Sequence, residues 1–242
     1  MKKMVEELVT QLGVAPLVAR LLLNRGIDTY EEAKLYLDKR ELCYHDPYLL
    51  DGMKEAVERI KQAIAEDERI LIFGDYDADG VSSTAIMVHT LRELGADFDF
   101  YIPNRFTEGY GPNEAALRKA KEDGYQLVVT VDTGIAAVHE AAVAKEIGLD
   151  FIVTDHHEAP PVLPDALAIV NPKKPGCPYP FKGLAGVGVA FKVAQALLGR
   201  TPTEWLDIVV IGTIADLVPL VDENRLLAIE GWKPYKRRRG RG

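Results

Sequence analysis

Short apolar runs recur through the middle of the chain, and stretches with helical spacing separate several of them. The runs are rich in Ile, Val, Leu and Phe, a composition typical of strands that are buried on both faces. They predict strands at residues 70–73, 98–102, 127–131, 151–154 and 167–170. Helices are predicted between them, near residues 83–94, 112–123 and 136–147. This alternation predicts an α/β fold, doubly wound around a mainly parallel five-stranded sheet with helices on both faces.

The residues on either side of this region carry helical patterns only. Pro16–Leu23 is an apolar helical stretch, and Thr29 with Glu32 fits a helix-capping box. Further helices are predicted at residues 53–65, 184–198 and 203–215. We therefore divide the chain into three parts: a small helical N-terminal appendage at residues 1–50, a main domain at 51–231 and a basic tail at 232–242.

The composition is that of an ordinary globular protein. Of the 242 residues, 48% are hydrophobic and 27% are charged. No apolar run approaches the roughly 20 residues of a membrane-spanning helix, so we expect no membrane segment. The two cysteines, Cys43 and Cys177, are too few for a disulfide framework and lack metal-binding spacing. We therefore expect a protein of the reducing cytoplasm.

The charge is distributed unevenly along the chain. A formal net charge of −8 argues against a protein that coats nucleic acid, although it leaves open an enzyme that acts on nucleic acid. The tail at residues 232–242 carries six of the 29 Lys and Arg residues and no acid. We expect this tail to be disordered. Two interpretations of it stay open: a solvated run of charge, or an arm that binds nucleic acid.

Acidic and imidazole side chains follow three of the predicted strands at the point where each strand ends. The acids and histidines that do so are Asp75, Asp77, Asp79, Asp132, Asp155, His156 and His157. Because the carboxyl ends of parallel strands meet at one edge of a sheet, we expect these side chains to converge, together with Asp216 at a predicted helix end. Aspartate and imidazole suit Mg²⁺ or Mn²⁺. A carboxylate shared by two such ions gives a site that activates water at a phosphoester.

Each of these motifs is weak when taken alone. Asp75-x-Asp77-x-Asp79-Gly80 also matches the start of an EF-hand calcium loop, but the twelfth position, which needs Glu, is Ile86 here. Asp132-Thr133-Gly134 alone is an ordinary strand-to-helix turn, and paired histidines alone are more often surface or core residues. The specificity comes from the coincidence of three strand ends that all carry acids or imidazoles.

Four segments, in this order, resemble the four motifs of the DHH phosphoesterase superfamily, and most closely its RecJ family of single-strand-specific exonucleases. The segments are Asp75-Tyr76-Asp77-Ala78-Asp79-Gly80, Val131-Asp132-Thr133-Gly134, Thr154-Asp155-His156-His157 and Ile214-Ala215-Asp216-Leu217-Val218-Pro219-Leu220. The resemblance extends from about residue 10 to 230. Proteins of that family continue with further domains, so we expect this chain to be the family's catalytic domain, truncated at its C-terminus.

The resemblance implies a set of metal ligands and a catalytic histidine. The implied ligands of two Mn²⁺ or Mg²⁺ ions are Asp77, Asp79, Asp132, His156 and Asp216, with Asp75 as a further ligand or an acid behind them. Asp132 would bridge the two ions and take part in catalysis. His157 would face the scissile phosphate as an acid or a charge stabiliser. Asp155 would orient His156, since carboxylates often position metal-binding histidines.

Four further residues are candidates for binding the substrate. Ser83 lies near a predicted helix start, where free N–H groups suit a phosphate. Arg105 carries a guanidinium that can clamp a phosphate. Gly186 and Gly188 lack side chains and let a ligand approach the main chain closely.

The function implied by the resemblance is metal-dependent hydrolysis of single-stranded DNA. Such an enzyme would release mononucleotides in the 5′→3′ direction, in DNA repair and recombination, with a helicase or a single-strand-binding protein as partner. Two alternatives stay open. The chain could hydrolyse short oligonucleotides or cyclic dinucleotides, or it could be a truncated scaffold without catalytic activity.

Overall fold

A computed structural model describes residues 2–38 and 42–233 of the chain. The chain divides into two compact units after Tyr44. Residues 234–242, most of the predicted basic tail, lie outside the described residues. Within the described ranges, no helix combines the length and the apolar character needed to cross a membrane.

The first unit is helical, as the N-terminal pattern indicates. Its helices are α1 (Lys2–Leu12), α2 (Pro16–Leu23) and α3 (Tyr30–Leu37). They share a small core formed by Val5, Leu8, Ala19, Leu22 and Ala33. The side chain of Thr29 accepts a hydrogen bond from the N–H of Glu32 at 3.3 Å, which caps α3 where the sequence predicts it.

The second unit alternates strands and helices. After a 3₁₀ turn at Pro47–Leu49, its first elements are α4 (Met53–Ala65), β1 (Ile70–Phe73), α5 (Ala78–Glu93), β2 (Phe98–Tyr101) and α6 (Glu114–Glu122). They are followed by β3 (Leu127–Val131), α7 (Val138–Glu146), β4 (Asp150–Thr154) and β5 (Ala168–Val170). The chain then forms α8 (Gly186–Leu198), a 3₁₀ turn at Thr203–Trp205, α9 (Leu206–Ala215) and α10 (Asp222–Gly231).

The strands of the described residues form one five-stranded sheet in the order β2-β1-β3-β4-β5. Every neighbouring pair is parallel, with Phe73 opposite Tyr101 and Thr130, and Val131 opposite Thr154. The predicted fold class is therefore confirmed. Because the pairs are parallel, the loops that follow β1, β3 and β4 leave the sheet at the same edge.

Helices cover both faces of this sheet. On one face, Phe73, Val128 and Phe151 pack in a core with Leu117 of α6 and Ala144 of α7. On the other face, α5 and α8 pack against the strands and against each other, and α4 packs against β5. Burial on both sides explains why β1 and β3 are apolar at almost every position.

Helix α5 begins at Ala78, five residues before the predicted start at residue 83. The cause is Asp77, whose carboxylate oxygen Oδ1 accepts hydrogen bonds from the N–H groups of Asp79 (2.8 Å) and Gly80 (2.9 Å). This cap starts the helix within the acidic segment itself. Asp79 is therefore held on the first turn of the helix.

Candidate metal centre

Four segments meet at the carboxyl edge of the sheet. The order β2-β1-β3-β4-β5 reverses its direction of winding between β1 and β3, and ligands of open α/β sheets bind at such a switch point. The loop after β1 brings Asp75, Asp77 and Asp79 to this point, and the turn after β3 brings Asp132. The loop after β4 adds His156 beside them, and the C-terminus of α9 adds Asp216.

Asp132 lies at the centre of the site in a strained conformation. Its φ of 59° is in the left-handed region, which residues other than glycine seldom adopt. Only 2% of its surface is exposed. Burial raises the pKa of the Asp132 carboxyl to about 9, and the negative charges of Asp155 and Asp77 contribute to the same shift. A bound cation would reverse this preference and favour the ionised carboxylate.

His156 faces three carboxylates with one ring nitrogen. Its Nε2 lies 3.2 Å from Oδ1 of Asp132, 3.8 Å from Oδ2 of Asp79 and 3.8 Å from Oδ2 of Asp216. The ring and two of these acids are buried, while Asp216 is partly exposed. Asp79, His156 and Asp216 form one cluster whose ligand atoms lie within 4.8 Å of one another.

A second cluster lies on the other side of Asp132. It consists of Asp75, Asp77 and Asp132, again with ligand atoms within 4.8 Å of one another. Asp75 is buried, and that burial raises the pKa of its carboxyl. Asp77 is more exposed and uses Oδ1 to cap α5, which leaves Oδ2 as its second carboxylate oxygen. Asp132 belongs to this second cluster, and its Oδ1 lies 3.2 Å from Nε2 of His156 in the first, so the residue implied to bridge two ions lies between the two clusters.

The buried polar atoms of the site fit a divalent cation. Burying a polar atom without a hydrogen bond is costly, so such atoms point to a missing partner. Among the described residues, the buried atoms without a hydrogen-bond partner include Oδ1 of Asp75, Oδ1 of Asp132 and both ring nitrogens of His156. Carboxylate oxygen with one imidazole is a donor set that suits Mn²⁺ and also accommodates Mg²⁺.

Asp79 is fixed by the N-terminus of α8. Its Oδ2 accepts the N–H of Gly186 at 2.7 Å, and its Oδ1 accepts the N–H of Val187 at 2.8 Å. The residue before α8, Ala185, has no side chain that could cap the helix, so Asp79 supplies the cap from a distant segment. Burial raises the pKa of Asp79 to about 7, and the charge of Asp132 contributes to the same shift.

Asp155 positions His157, and the expectation that it orients the ring of His156 is wrong. Its Oδ1 lies 2.7 Å from Nδ1 of His157, whereas it contacts His156 through the backbone N–H, also at 2.7 Å. Its Oδ2 accepts the N–H of Ile135 at 2.9 Å. Asp155 accepts a hydrogen bond from Nδ1 of His157, and this bond raises the pKa of His157 to about 9, although burial opposes the shift. The contact therefore favours the imidazolium in the metal-free protein, and 45% of the His157 side chain is exposed.

A cavity of about 450 Å³ adjoins this histidine. Tyr110, Ile135, Glu140 and His157 contribute to its lining. The hydroxyl of Tyr110 lies 3.4 Å from Nδ1 of His157 and 3.3 Å from the backbone oxygen of Asp132. The loop that joins β2 to α6 therefore reaches the segments that follow β3 and β4.

Arg105 lies on this same loop, close to the acidic segment after β1. Its guanidinium carbon is 5.3 Å from the centroid of the Tyr76 ring, between Asp75 and Asp77 in sequence. Arg105 is exposed, so its charge is available to a ligand at the edge of the centre. The structure thus brings this predicted phosphate-binding residue to the site.

The other three predicted substrate-binding residues are placed differently. Ser83 is fully buried within α5, where its hydroxyl donates to the backbone oxygen of Asp79 at 2.8 Å. The main-chain N–H of Gly186 already binds Asp79. A Cβ at Gly188 would meet Leu184, 3.1 Å away, so this glycine serves packing inside α8. All three residues are buried, and Gly186 lies against the ligands Asp79 and Asp132.

Two further residues contribute to the site although no local sequence pattern points to them. A Cβ at Gly212 would lie 2.8 Å from Oδ1 of Asp79, so α9 approaches this ligand only because the residue is glycine. Asn171, fully buried, donates from Nδ2 to the backbone oxygen of His157 at 3.0 Å. Both act through contacts between segments far apart in sequence, which local patterns do not reveal.

Comparison with known proteins points to one family. Residues 69–213 match the DHH family, N-terminal domain. The chain is 63% identical over 233 residues to the single-stranded-DNA-specific exonuclease RecJ of Bacillus subtilis (strain 168), covering 96% of this chain and 30% of that protein.

Solved structures show the same likeness. A structure of RecJ in complex with Mn²⁺ from Thermus thermophilus is 34% identical, with a TM-score of 0.74, over 96% of this chain and 33% of that one. A structure of RecJ in complex with Mg²⁺ from the same organism is 31% identical, with a TM-score of 0.60, over 96% of this chain and 29% of that one. The chain therefore spans about a third of the length of these relatives.

Proposed function

Since the chain belongs to the DHH family, we propose that it is the catalytic core of a RecJ-type exonuclease. In this proposal it hydrolyses single-stranded DNA in the 5′→3′ direction and releases mononucleotides, in DNA repair and recombination. Residues 51–231 form the catalytic domain, and residues 1–50 form an appendage. The observation that carries the proposal is the pair of ligand clusters, one of which contains the buried Asp132 while the other presents His156 at 3.2 Å from it.

Two divalent ions, Mn²⁺ or Mg²⁺, are the proposed cofactors. Asp79, His156 and Asp216 would hold one ion and Asp75 and Asp77 the other. Asp132, which belongs to the second cluster and lies 3.2 Å from His156, would be shared between them. Bound divalent ions supply an activated water and neutralise charge on the phosphoryl group. The related RecJ structures contain Mn²⁺ in one case and Mg²⁺ in another, which supports either ion here.

His157 is the proposed catalytic cation. Asp155 fixes its ring through Nδ1, which leaves Nε2 to carry a proton toward the substrate. The imidazolium form of His157 is favoured by its hydrogen bond to the Asp155 carboxylate, which raises the pKa of the ring. It can therefore stabilise negative charge on the phosphoryl oxygens or donate its proton to the leaving oxygen.

Arg105 is the proposed clamp for a phosphate of the strand. It lies beside the acidic loop that would hold one ion, and its guanidinium can bind two phosphate oxygens at once. Tyr110, on the same loop, presents an aromatic ring next to His157 on which a base can stack. Both residues lie on the loop between β2 and α6, so this loop would contact the strand at the centre.

The cellular setting is proposed from the resemblance and from the cysteines. Both Cys43 and Cys177 are free, as expected for a protein of the reducing cytoplasm. A helicase or a single-strand-binding protein is the proposed partner, because an enzyme that digests single strands needs an exposed strand. Among the alternatives, the complete ligand set argues against a scaffold without activity.

The test is release of mononucleotides from 5′-labelled single-stranded DNA in Mn²⁺, compared with duplex DNA of the same sequence. We expect digestion of the single strand only, and its loss in Asp132→Asn, which keeps the size of the side chain but not its charge. A trinucleotide substrate tests the first alternative, which is hydrolysis of short oligonucleotides. Faster cleavage of the trinucleotide than of a 30-mer would favour that alternative. Turnover that survives in Asp132→Asn would overturn the proposal.

A further inference from the structure

The loop between β2 and α6 carries two side chains to the metal centre while it is itself exposed. Arg105 lies over the ring of Tyr76, and Tyr110 reaches the backbone oxygen of Asp132. Between them lies Phe106, with 94% of its surface exposed. A loop so open to solvent needs an anchor if it is to hold Arg105 and Tyr110 at fixed positions.

Glu108 provides this anchor. One carboxylate oxygen, Oε1, accepts a hydrogen bond from the hydroxyl of Tyr101, the last residue of β2. The other oxygen, Oε2, accepts the backbone N–H of Asn104 at 2.8 Å. The backbone N–H of Glu108 in turn donates to the backbone oxygen of Asn104 at 2.9 Å. We call Tyr101, Asn104 and Glu108 the clasp.

The clasp holds the backbone on both sides of Arg105. Asn104 also accepts the N–H of Phe106 with its side-chain oxygen at 2.9 Å, so the residues on both sides of Arg105 are hydrogen-bonded. This fixes the backbone from which the guanidinium projects toward Tyr76.

On its other side, the clasp adjoins the segment that holds Tyr110. Gly109 and Gly111 both have a φ of 83°, in the left-handed region that favours glycine. Two glycines around one residue allow the backbone to adopt many conformations, so Tyr110 depends on its neighbours for its position. Glu108 is the residue immediately before this pair of glycines.

The negative charge of Glu108 does not suit a surface that binds the phosphates of DNA. A carboxylate on a loop that also carries a phosphate-binding arginine repels the phosphates of the strand. The hydrogen bond from Tyr101, followed by that from the Asn104 N–H, lowers the pKa of Glu108, so it is ionised at neutral pH. Both of its oxygens are directed to the loop and to the strand end, where they contribute to order.

We propose that Glu108 is a positioning residue, which through its bonds to Tyr101 and Asn104 holds Arg105 and Tyr110 in place to receive the DNA strand. This inference rests on the proposed function, since the clasp matters to catalysis only if Arg105 contacts the substrate. Glu108 would contribute to substrate binding without contacting the substrate itself.

A double-mutant cycle on steady-state kinetics tests the inference. We expect Glu108→Ala to raise KM for single-stranded DNA about tenfold, because misplaced contact residues lose binding, while Mn²⁺ affinity stays unchanged. In a background that carries both Arg105→Ala and Tyr110→Ala, the same change should raise KM much less, because both residues that Glu108 positions are gone. Tyr101→Phe should raise KM in the same direction as Glu108→Ala. The matched control is Glu122→Ala, an exposed glutamate at the end of α6.

Equal effects of Glu108→Ala with and without the side chains of Arg105 and Tyr110 would overturn the inference, as would an unchanged KM. If the wild-type protein shows no turnover, the proposed function fails first, and the same cycle is then run on binding of a single-stranded oligonucleotide by fluorescence anisotropy.

Hydrogen exchange of the metal-free protein gives a separate readout. Faster exchange of residues 104–111 in Glu108→Ala, with residues 75–80 unchanged, supports the clasp, and unchanged exchange in the loop contradicts it.

Discussion

Glycines at two positions allow the buried carboxylates to approach the main chain of neighbouring helices. A Cβ at Gly186 would overlap Oδ1 of Asp132, and one at Gly212 would lie 2.8 Å from Oδ1 of Asp79. Neither position leaves room for a methyl group. The placement of these two ligands therefore depends on residues whose own side chains bind nothing.

Gly186→Ala should weaken Mn²⁺ binding by at least about tenfold, because Asp132 must move to make room for the methyl group. Isothermal titration calorimetry measures the affinity. Gly188→Ala is the matched control in the same helix, since its methyl group would meet only the side chain of Leu184. Equal affinities of the two variants for Mn²⁺ would show that Gly186 does not shape the site.

The ligand residues could be predicted from the sequence because each follows an apolar strand or a helix end. Parallel strands bring such positions to one edge, so no knowledge of side-chain contacts is needed. The partner of Asp155 could not be predicted in this way. Whether it bonds the ring of His156 or that of His157 depends on the path of the chain after β4, and the structure shows His157.

At the scale of elements, a buried charged network joins α8 to α10. Nζ of Lys192, on α8, lies 2.9 Å from Oε1 of Glu223, on α10, and 2.6 Å from the backbone oxygen of His45. Oε2 of Glu223 accepts a hydrogen bond from Tyr179. Lys192 and Glu223 are each 1% exposed, so neither charge can be satisfied by water. Since α9 lies between these helices in sequence and ends next to Asp216, this network supports the C-terminal side of the site.

Lys192→Met should lower the free energy of unfolding by about 3–5 kcal/mol, because it leaves the Glu223 carboxylate buried without its cation. Urea denaturation measures the loss. The control, Arg200→Met, removes an exposed partner of Glu93 and Glu204 and should cost about 0–1 kcal/mol. Similar losses in the two variants would show that burial of the pair contributes little.

Some helices and strands could be predicted from the sequence more accurately than others. Strands β1 and β3 have the predicted ends, since both are buried and bounded by polar residues. Helix α5 starts early because a side chain caps it, which apolar spacing does not show. The sequence does not predict helix α10 because its hydrophobic residues do not form a clear stripe, and it is defined by packing against α9.

At the scale of the whole molecule, the metal centre belongs to one unit. Every residue of the two ligand clusters lies after residue 44, in the second compact unit. The first unit has a separate small core of its own. The chemistry proposed for the chain should therefore not depend on residues 1–44.

A chain that begins at His45 should fold and bind Mn²⁺ with the affinity of the full chain, within about threefold, because no ligand has been removed. Circular dichroism checks the fold, and calorimetry checks the binding. If the shortened chain folds but binds Mn²⁺ much more weakly, the first unit contributes to the site.

If Asp132 joins two metal sites, each chain binds two Mn²⁺ ions, and the number of ions bound per chain is the direct test. Titration followed by electron paramagnetic resonance should show two ions in the wild type, with spin coupling between them. We expect Asp77→Ala and Asp216→Ala each to retain a single ion, and Asp132→Ala to lose the coupling and most of the affinity for both. A single ion in the wild type, or two coupled ions in Asp132→Ala, would contradict the account.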